Sequence, residues 1–147
     1  MRALIQRVSQ ANVKIDEKII SEIKQGLLVL VCAMADDTEN EAEQMASKIS
    51  KIRIFNDENG KMNKSIKDIN GEALVVSQFT LAADTSRGNR PGFSYAAHPE
   101  KGEKLYEYST TKLQDMDINC KMGVFGGDME VSLINDGPTT IWLDNKD

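Results

Sequence analysis

Two short segments concentrate the residues that can do chemistry. Ser77-Gln78-Phe79-Thr80-Leu81 ends a hydrophobic stretch with two hydroxyls and a carboxamide. Read as the end of a strand running from Ala73 to Leu81, it sets Gln78 and Thr80 side by side on one face. The amide can orient a carbonyl or a water there, and Thr80 is a nucleophile or a hydrogen-bond donor. On pattern alone the same residues also suit a strand end that ties down its neighbours. Asn135-Asp136-Gly137-Pro138-Thr139-Thr140 joins turn-forming residues to a proline of fixed φ. It is either a plain turn between two strands or a rigid backbone wall without side chains. Its Gly-Pro bond is cis or trans, since X-Pro alone tolerates both cheaply.

Other chemistries are missing. His98 is the single histidine and precedes a predicted helix, so a metal site built on several imidazoles is excluded. A Ser-His-Asp triad would have to use it. There is no G-x-S-x-G elbow, P-loop or G-x-G-x-x-G. Gly123-Val124-Phe125-Gly126-Gly127 lies between predicted strands, where it lets a ligand or chain come close. Cys32 sits in an apolar run and Cys120 has no CxxC partner, so neither suggests a metal or a disulfide. A catalyst of this make-up has no strong side-chain base. Two resources then remain: backbone N–H groups that form an oxyanion hole, and reactive groups that the substrate itself supplies. No metal or organic cofactor is expected.

The elements that must position these residues follow from periodicity. Residues 3 to 15 alternate as a long half-buried strand, and Ile19 to Ile23 returns after Asp16-Glu17-Lys18. Leu27 to Ala33 is a continuous apolar run and predicts a central strand. Thr38-x-x-Glu41 is a capping box that opens a helix over Thr38 to Lys51. Ile52 to Phe55 predicts a strand, with 61 to 66 as its hairpin partner. His98-Pro99-Glu100 opens a second helix whose inner face holds Leu105, Tyr106, Ser109, Leu113 and Met116. Strands over 119 to 124, 128 to 134 and 139 to 143 follow. Many strands and two helices without strict alternation predict an α+β fold with largely antiparallel sheet.

The 147 residues suit one domain, 1–147. No apolar run approaches the roughly 20 residues of a membrane span, and the start lacks a signal peptide's pattern. A cytoplasmic location is the expectation. The net charge of −5 argues against broad nucleic-acid binding, which needs a basic field, but allows a small local patch. Arg87 and Arg90, with Lys101, Lys104 and Lys112 on the following helix, are the candidates for phosphate contact. A solvated charged face is the plain alternative.

Five segments in order resemble the D-aminoacyl-tRNA deacylase (D-Tyr-tRNA deacylase) family: Arg2 to Val8 with Gln6-Arg7-Val8, Ser77 to Leu81, Arg87 to Phe93, Phe125 to Met129, and Asn135 to Thr140. The resemblance spans nearly the whole chain. It implies a barrel-like core, hydrolysis of the ester of D-aminoacyl-tRNA, and removal of glycine from mischarged tRNA. It implies a homodimer in which Gly137-Pro138, in cis, enters the partner's active site and rejects L-amino acids. Backbone amides around Phe79 and Thr80 would hold the oxyanion, with Ser77 in the pocket and Gln78 fixing it. Arg7 would lock the wall, and Phe125 and Met129 would line the adenosine pocket. The tRNA 2′-hydroxyl would assist. Two residues depart from the family's usual pattern: Gly127 stands for Ala and Thr139 for Val. The competing readings are Thr80 as a covalent nucleophile and a non-catalytic RNA-end binding module on the same fold.

Overall fold

The computed structural model describes residues 1–146. Its organising element is β1 (Arg2–Ile15), a strand long enough to serve three partners. Its first half pairs antiparallel with β3 (Gly26–Cys32), from Arg2↔Cys32 to Val8↔Gly26. Its second half pairs with β2 (Lys18–Ile23) through a two-residue turn. Asp16 and Glu17 both take positive φ in that turn, as a tight hairpin of this twist demands.

β3 pairs in parallel with β6 (Glu72–Ser77), and β6 in parallel with β7 (Asn119–Met122). Parallel neighbours require crossovers. The first carries α1 (Glu39–Lys51) and the small hairpin β4 (Phe55–Asn56) and β5 (Met62–Lys64); the second carries α2 (Pro99–Asp115). The sheet is therefore mixed, with its antiparallel pairings gathered around β1. Ser21 Oγ donates to Met122 O, which draws β2 toward β7 and nearly closes a barrel. The α+β architecture with two main helices is as the sequence indicated.

Alternation sends alternate side chains of β3 and β6 to two cores, while β1 gives its first half to one and its second half to the other, the change falling at the register shifts around Val8. Ala3, Ile5, Leu27, Val29, Ala73 and Val75 meet Met45, Ile49, Leu105 and Leu113 of the helices. Val8, Ala11, Val13, Leu28, Leu74 and Val76 form the second core, where Met129, Val131 and Leu133 pack. The capping box of α1 forms: Asn40 N–H donates to Thr38 Oγ1, and Thr38 N–H donates to Glu41 Oε2.

Three expected boundaries move. The strand expected over Ile52 to Phe55 is only Phe55–Asn56, because Ile52 still caps α1 and its partner β5 has three residues. The strand expected to reach Leu81 stops at Ser77, where the β3 ladder ends at Val31↔Ser77. Without a partner the chain tightens into a 3₁₀ turn, Phe79–Ala82. The strands expected over 128 to 134 and 139 to 143 are one strand, β8 (Glu130–Asp144), because both pieces pair with the unbroken β1.

Candidate active site

The 3₁₀ turn corrects the shared strand face expected of Gln78 and Thr80, yet brings the two side chains together. Gln78 N–H donates to Val31 O at 2.8 Å, the last tie to the sheet. Gln78 Nε2 then donates to Thr80 Oγ1 across the start of the turn. Leu81 N–H donates to Gln78 O and Ala83 N–H to Thr80 O. The first amides of a helical turn have no partner within it. For this turn those amides belong to Phe79 and Thr80, and Gln78 at the N-cap gives them no side-chain bond.

The Phe79 side chain is 58% exposed, so this end of the turn faces solvent. Its ring meets Phe93 edge-on at 5.0 Å between centroids. On the inner side, Cys32 Sγ lies 3.7 Å from Phe79 O. Burial pushes the Cys32 thiol up to about 11, so it is a neutral packing group rather than a nucleophile at neutral pH. The result is a surface with two backbone donors that make no hydrogen bond among the described residues, an arrangement able to stabilise an oxyanion.

The Asn135–Thr140 segment is a bulge rather than a turn between strands. Gln6 pairs with Thr140 and Val8 with Asn135, so Asp136, Gly137, Pro138 and Thr139 all fall opposite Arg7. The excess backbone has to loop outward. Gly137 has φ +145, and its bond to Pro138 is cis. A Cβ at Gly137 would run into Thr139 Oγ1 and stand 3.0 Å from Arg7 Nη2. Asn135 holds the loop from below: its Oδ1 accepts from Thr139 N–H at 2.8 Å and its Nδ2 donates to Thr140 Oγ1 at 2.9 Å. Arg7 holds it from the core side through Asp136 O at 2.8 Å. Gly137 and Pro138 are left exposed on a fixed ridge.

Register places the ridge and the turn apart within one protomer. Arg7 is level with Leu27 and Leu27 with Ala73, four residues before Ser77. Four residues along β6 and three strand spacings across the sheet amount to about 15–20 Å at ordinary β dimensions.

The remaining expected residues are scattered. Phe125, in the loop after β7, packs against α2 with its ring 6.1 Å from that of Tyr106, whereas Met129 packs with the second core. Arg87 and Arg90 are exposed in the loop closed by the Asp84↔Gly92 bridge. The three lysines grouped with them are engaged: Lys101 donates to Ala35 O, Lys104 pairs with Glu100, and Lys112 pairs with Glu43. Gly127 has a local reason, since a Cβ there would stand 3.1 Å from Val124 O. Thr139 is buried beneath the ridge. Sequence reading missed the supporting roles of Asn135 and Phe93, although both lay inside segments it had singled out. Arg2 lies in the opening segment that resembles the family, but no role was assigned to it; its Nη1 donates to Leu81 O at 2.8 Å.

Comparison with known proteins gives a consistent result. The family model described as D-Tyr-tRNA(Tyr) deacylase matches residues 4–144. A D-aminoacyl-tRNA deacylase of Ruegeria pomeroyi is 60% identical over 144 residues, 98% of this chain and 99% of the relative. One from Thermotoga petrophila is 54% identical over 146 residues, 99% of this chain and 98% of the relative. Among solved structures, a c-Myc DNA Unwinding Element Binding Protein superposes with a TM-score of 0.93 at 40% identity, covering 98% of both chains. A probable eukaryotic D-amino acid tRNA deacylase superposes at 0.81 with 16% identity over 97% of each chain, a likeness of fold.

Proposed function

The chain belongs to the D-Tyr-tRNA(Tyr) deacylase family, whose relatives are D-aminoacyl-tRNA hydrolases, and from that premise we propose how its residues divide the work. The reading rests on one observation: the Phe79 and Thr80 amides open a solvent-facing turn with no capping side chain. They receive the ester carbonyl oxygen as it gains charge. Water attacks that carbon, assisted by the 2′-hydroxyl of the terminal adenosine. The bond to the ribose 3′-oxygen breaks, the 3′-oxygen leaves with the water's proton, and the free D-amino acid and tRNA depart. Ser77 and Gln78 shape the pocket, and the Gln78–Thr80 bond fixes its floor.

Handedness is sensed by the ridge at Gly137 and Pro138. Its backbone blocks the side chain of an L-amino acid and admits a D-amino acid or glycine. Because the ridge stands about 15–20 Å from Ser77 in its own protomer by strand spacing, it reaches the turn from a second copy. The working unit is a homodimer of single-domain chains, 1–147, with each ridge in its partner's site. Phe125 and Met129 line the adenosine pocket. Arg87 and Arg90 contact acceptor-end phosphates. No cofactor takes part. No helix among the described residues is long and apolar enough to cross a membrane, and the cytoplasm, where aminoacyl-tRNA is used, is the proposed location.

Covalent catalysis by Thr80 is the weaker reading. The hydroxyl oxygen of Thr80 already accepts a hydrogen bond from Gln78, which lowers its nucleophilicity, and among the described residues its hydroxyl is hydrogen-bonded to no carboxylate or imidazole. Binding to duplex DNA, a reading that the name of one structural relative invites, is disfavoured by the net charge of −5.

The test is release of tyrosine from D-Tyr-tRNA and L-Tyr-tRNA with a chelator present. Rapid release from the D-ester alone, unaffected by chelator, is expected. Equal release from both esters would refute the wall, and tight binding without release would favour an RNA-end module.

A further inference from the structure

Arg2 is the second residue of the chain and stands opposite Cys32 on one side and Asp144 on the other. Its Nε lies 3.1 Å from Asp144 Oδ2, and its Nη1 donates to Leu81 O at 2.8 Å. The guanidinium also lies over the Trp142 ring, 5.6 Å from its centroid. Asp144 is 10% exposed and Arg2 27% exposed at the side chain, so the pair is sheltered. Leu81 is the third residue of the 3₁₀ turn. Carbonyls at the end of a helical turn lack partners within it, and this one is met by a charged, planar, multi-donor group.

Besides the buried Ala82 and the Phe79–Phe93 ring contact, the turn has few other holds. It lies beyond the end of the ladder, tied to β3 through Gln78 N–H and Val31 O, with the Cys32 thiol beneath Phe79 O. Arg2 is the charged side chain that grips it. Oxyanion donors must stay within about 0.5 Å of their productive placement to be effective. A turn free to rock about Gln78 would not keep the Phe79 and Thr80 amides there.

We propose that Arg2, held by Asp144 and Trp142, is a positioning residue for ester cleavage, acting through Leu81 O on the two amides. This rests on the reading of those amides as the oxyanion site. Arg2 does not touch the substrate; it sets the geometry of the groups that do. Its loss falls on the chemical step, since the tRNA and the chirality-sensing ridge are held elsewhere.

Arg2→Met keeps an apolar stem over Trp142 and removes the donors. It is expected to lower kcat about tenfold, with KM within about twofold and the D/L preference unchanged, the pattern of a lost transition-state interaction. Arg2→Lys keeps one donor for Leu81 O and is expected to recover most of kcat. Asp144→Ala is expected to lower kcat in the same direction, and the Arg2→Met/Asp144→Ala double variant less than additively. Wild-type kcat in Arg2→Met, assayed well below its Tm, would overturn the proposal; so would failure of Arg2→Lys to recover activity in a folded protein. If Arg2→Met does not fold, Arg2→Lys and Asp144→Ala decide: a wild-type kcat in Asp144→Ala with Arg2→Lys inactive overturns it. Amide NMR separates this from its premise. In wild type, a non-hydrolysable amide analogue of D-Tyr-adenosine should move the Phe79 and Thr80 N–H resonances. If they do not move, the oxyanion reading fails. If they move while Arg2→Met keeps full kcat, only the positioning role of Arg2 fails.

Discussion

Arg7 Nε donates to Asp136 O at 2.8 Å while Nη1 of the same guanidinium donates to Ile54 O at 2.7 Å. One side chain thus ties the ridge on β8 to the segment leading into β4. Arg7 is only 7% exposed, and a buried guanidinium is tolerated because its donors are used. Arg7→Lys keeps the charge but lacks the fork that reaches two carbonyls. Leaving one buried carbonyl unmet costs about 1–3 kcal/mol, so Tm should fall. If the ridge senses handedness, the D/L ratio should fall too. A lower Tm with an unchanged ratio, measured on D- and L-Tyr-tRNA, would separate Arg7 from selectivity.

Gly137→Ala attacks the ridge itself. The backbone there has φ +145, and the added Cβ would meet Thr139 Oγ1 and Arg7 Nη2. Strain of this kind is about 1–3 kcal/mol, and it can be relieved only by moving the ridge or its anchor. Turnover of the D-ester should fall by at least about tenfold, the rate equivalent of about 1.36 kcal/mol. Wild-type kinetics in this variant would show that the ridge does not meet the substrate.

Thr80→Ala distinguishes backbone from covalent catalysis. The hydroxyl accepts one neutral hydrogen bond from Gln78, and such a bond is worth about 0.5–1.5 kcal/mol. Activity should therefore stay within about tenfold of wild type. Abolished turnover, with an acyl-enzyme trapped by rapid quench of wild type, would make Thr80 the nucleophile.

If Arg87 and Arg90 contact acceptor-end phosphates, they should leave a modest salt signature. Arg87 and Arg90 are exposed, and among the described residues neither forms an ion pair within 4 Å. Each single-strand phosphate contact adds about −0.7 to the log-log slope of affinity against salt. Two contacts give a slope of about −1.4, and Arg87→Ala/Arg90→Ala should bring it toward zero while raising KM. A much steeper wild-type slope, or no change in the double variant, would place the RNA elsewhere.

What the sequence made legible depended on whether local pattern and tertiary partner agreed. The capping box at Thr38 and Glu41 announced α1 because both halves of the motif are local. The alternation over 128 to 134 announced its buried face because β1 supplies a partner from Glu130 to Ile134. Gln78 and Thr80 were misplaced on a strand because the ladder's end is set by β3, which lies far away in sequence. Pattern left a turn or a rigid wall open at Gly137 because the bulge's meaning comes from register: β1 continues as one strand across it while its pairing with β8 shifts. Arg2 belongs to the family-like opening segment, but its grip on the turn was not legible because the Leu81 carbonyl it meets is 79 residues away.

Stability against pH follows from groups shifted in opposite senses. Thr38 donates its hydroxyl and its backbone N–H to Glu41 Oε2, which holds that carboxyl down at about 2. Hydrogen bonds lower Glu43, Asp57, Asp68 and Asp84 as well, from Tyr108 to Glu43, from Asn63 to Asp57, and from Ser65 and Ser86 to Asp68 and Asp84. A carboxyl whose folded pKa lies below its unfolded value stabilises fully above about 4.3 and loses that contribution as pH falls through the folded pKa. Burial acts the other way on Cys32 and Tyr106, raising them to about 11 and about 12. Their contribution is complete below the unfolded values, about 8.5 and 10, and fades as pH rises through the folded ones. A stability plateau between about pH 5 and 8 is the expected result. Glu41→Gln gives the sharpest check, because it removes the charge while keeping the shape. Its urea midpoint should fall below wild type at about pH 7, and the gap should close as pH approaches about 2. A gap that stays constant across that range would show that the Thr38 bonds do not depend on the Glu41 charge.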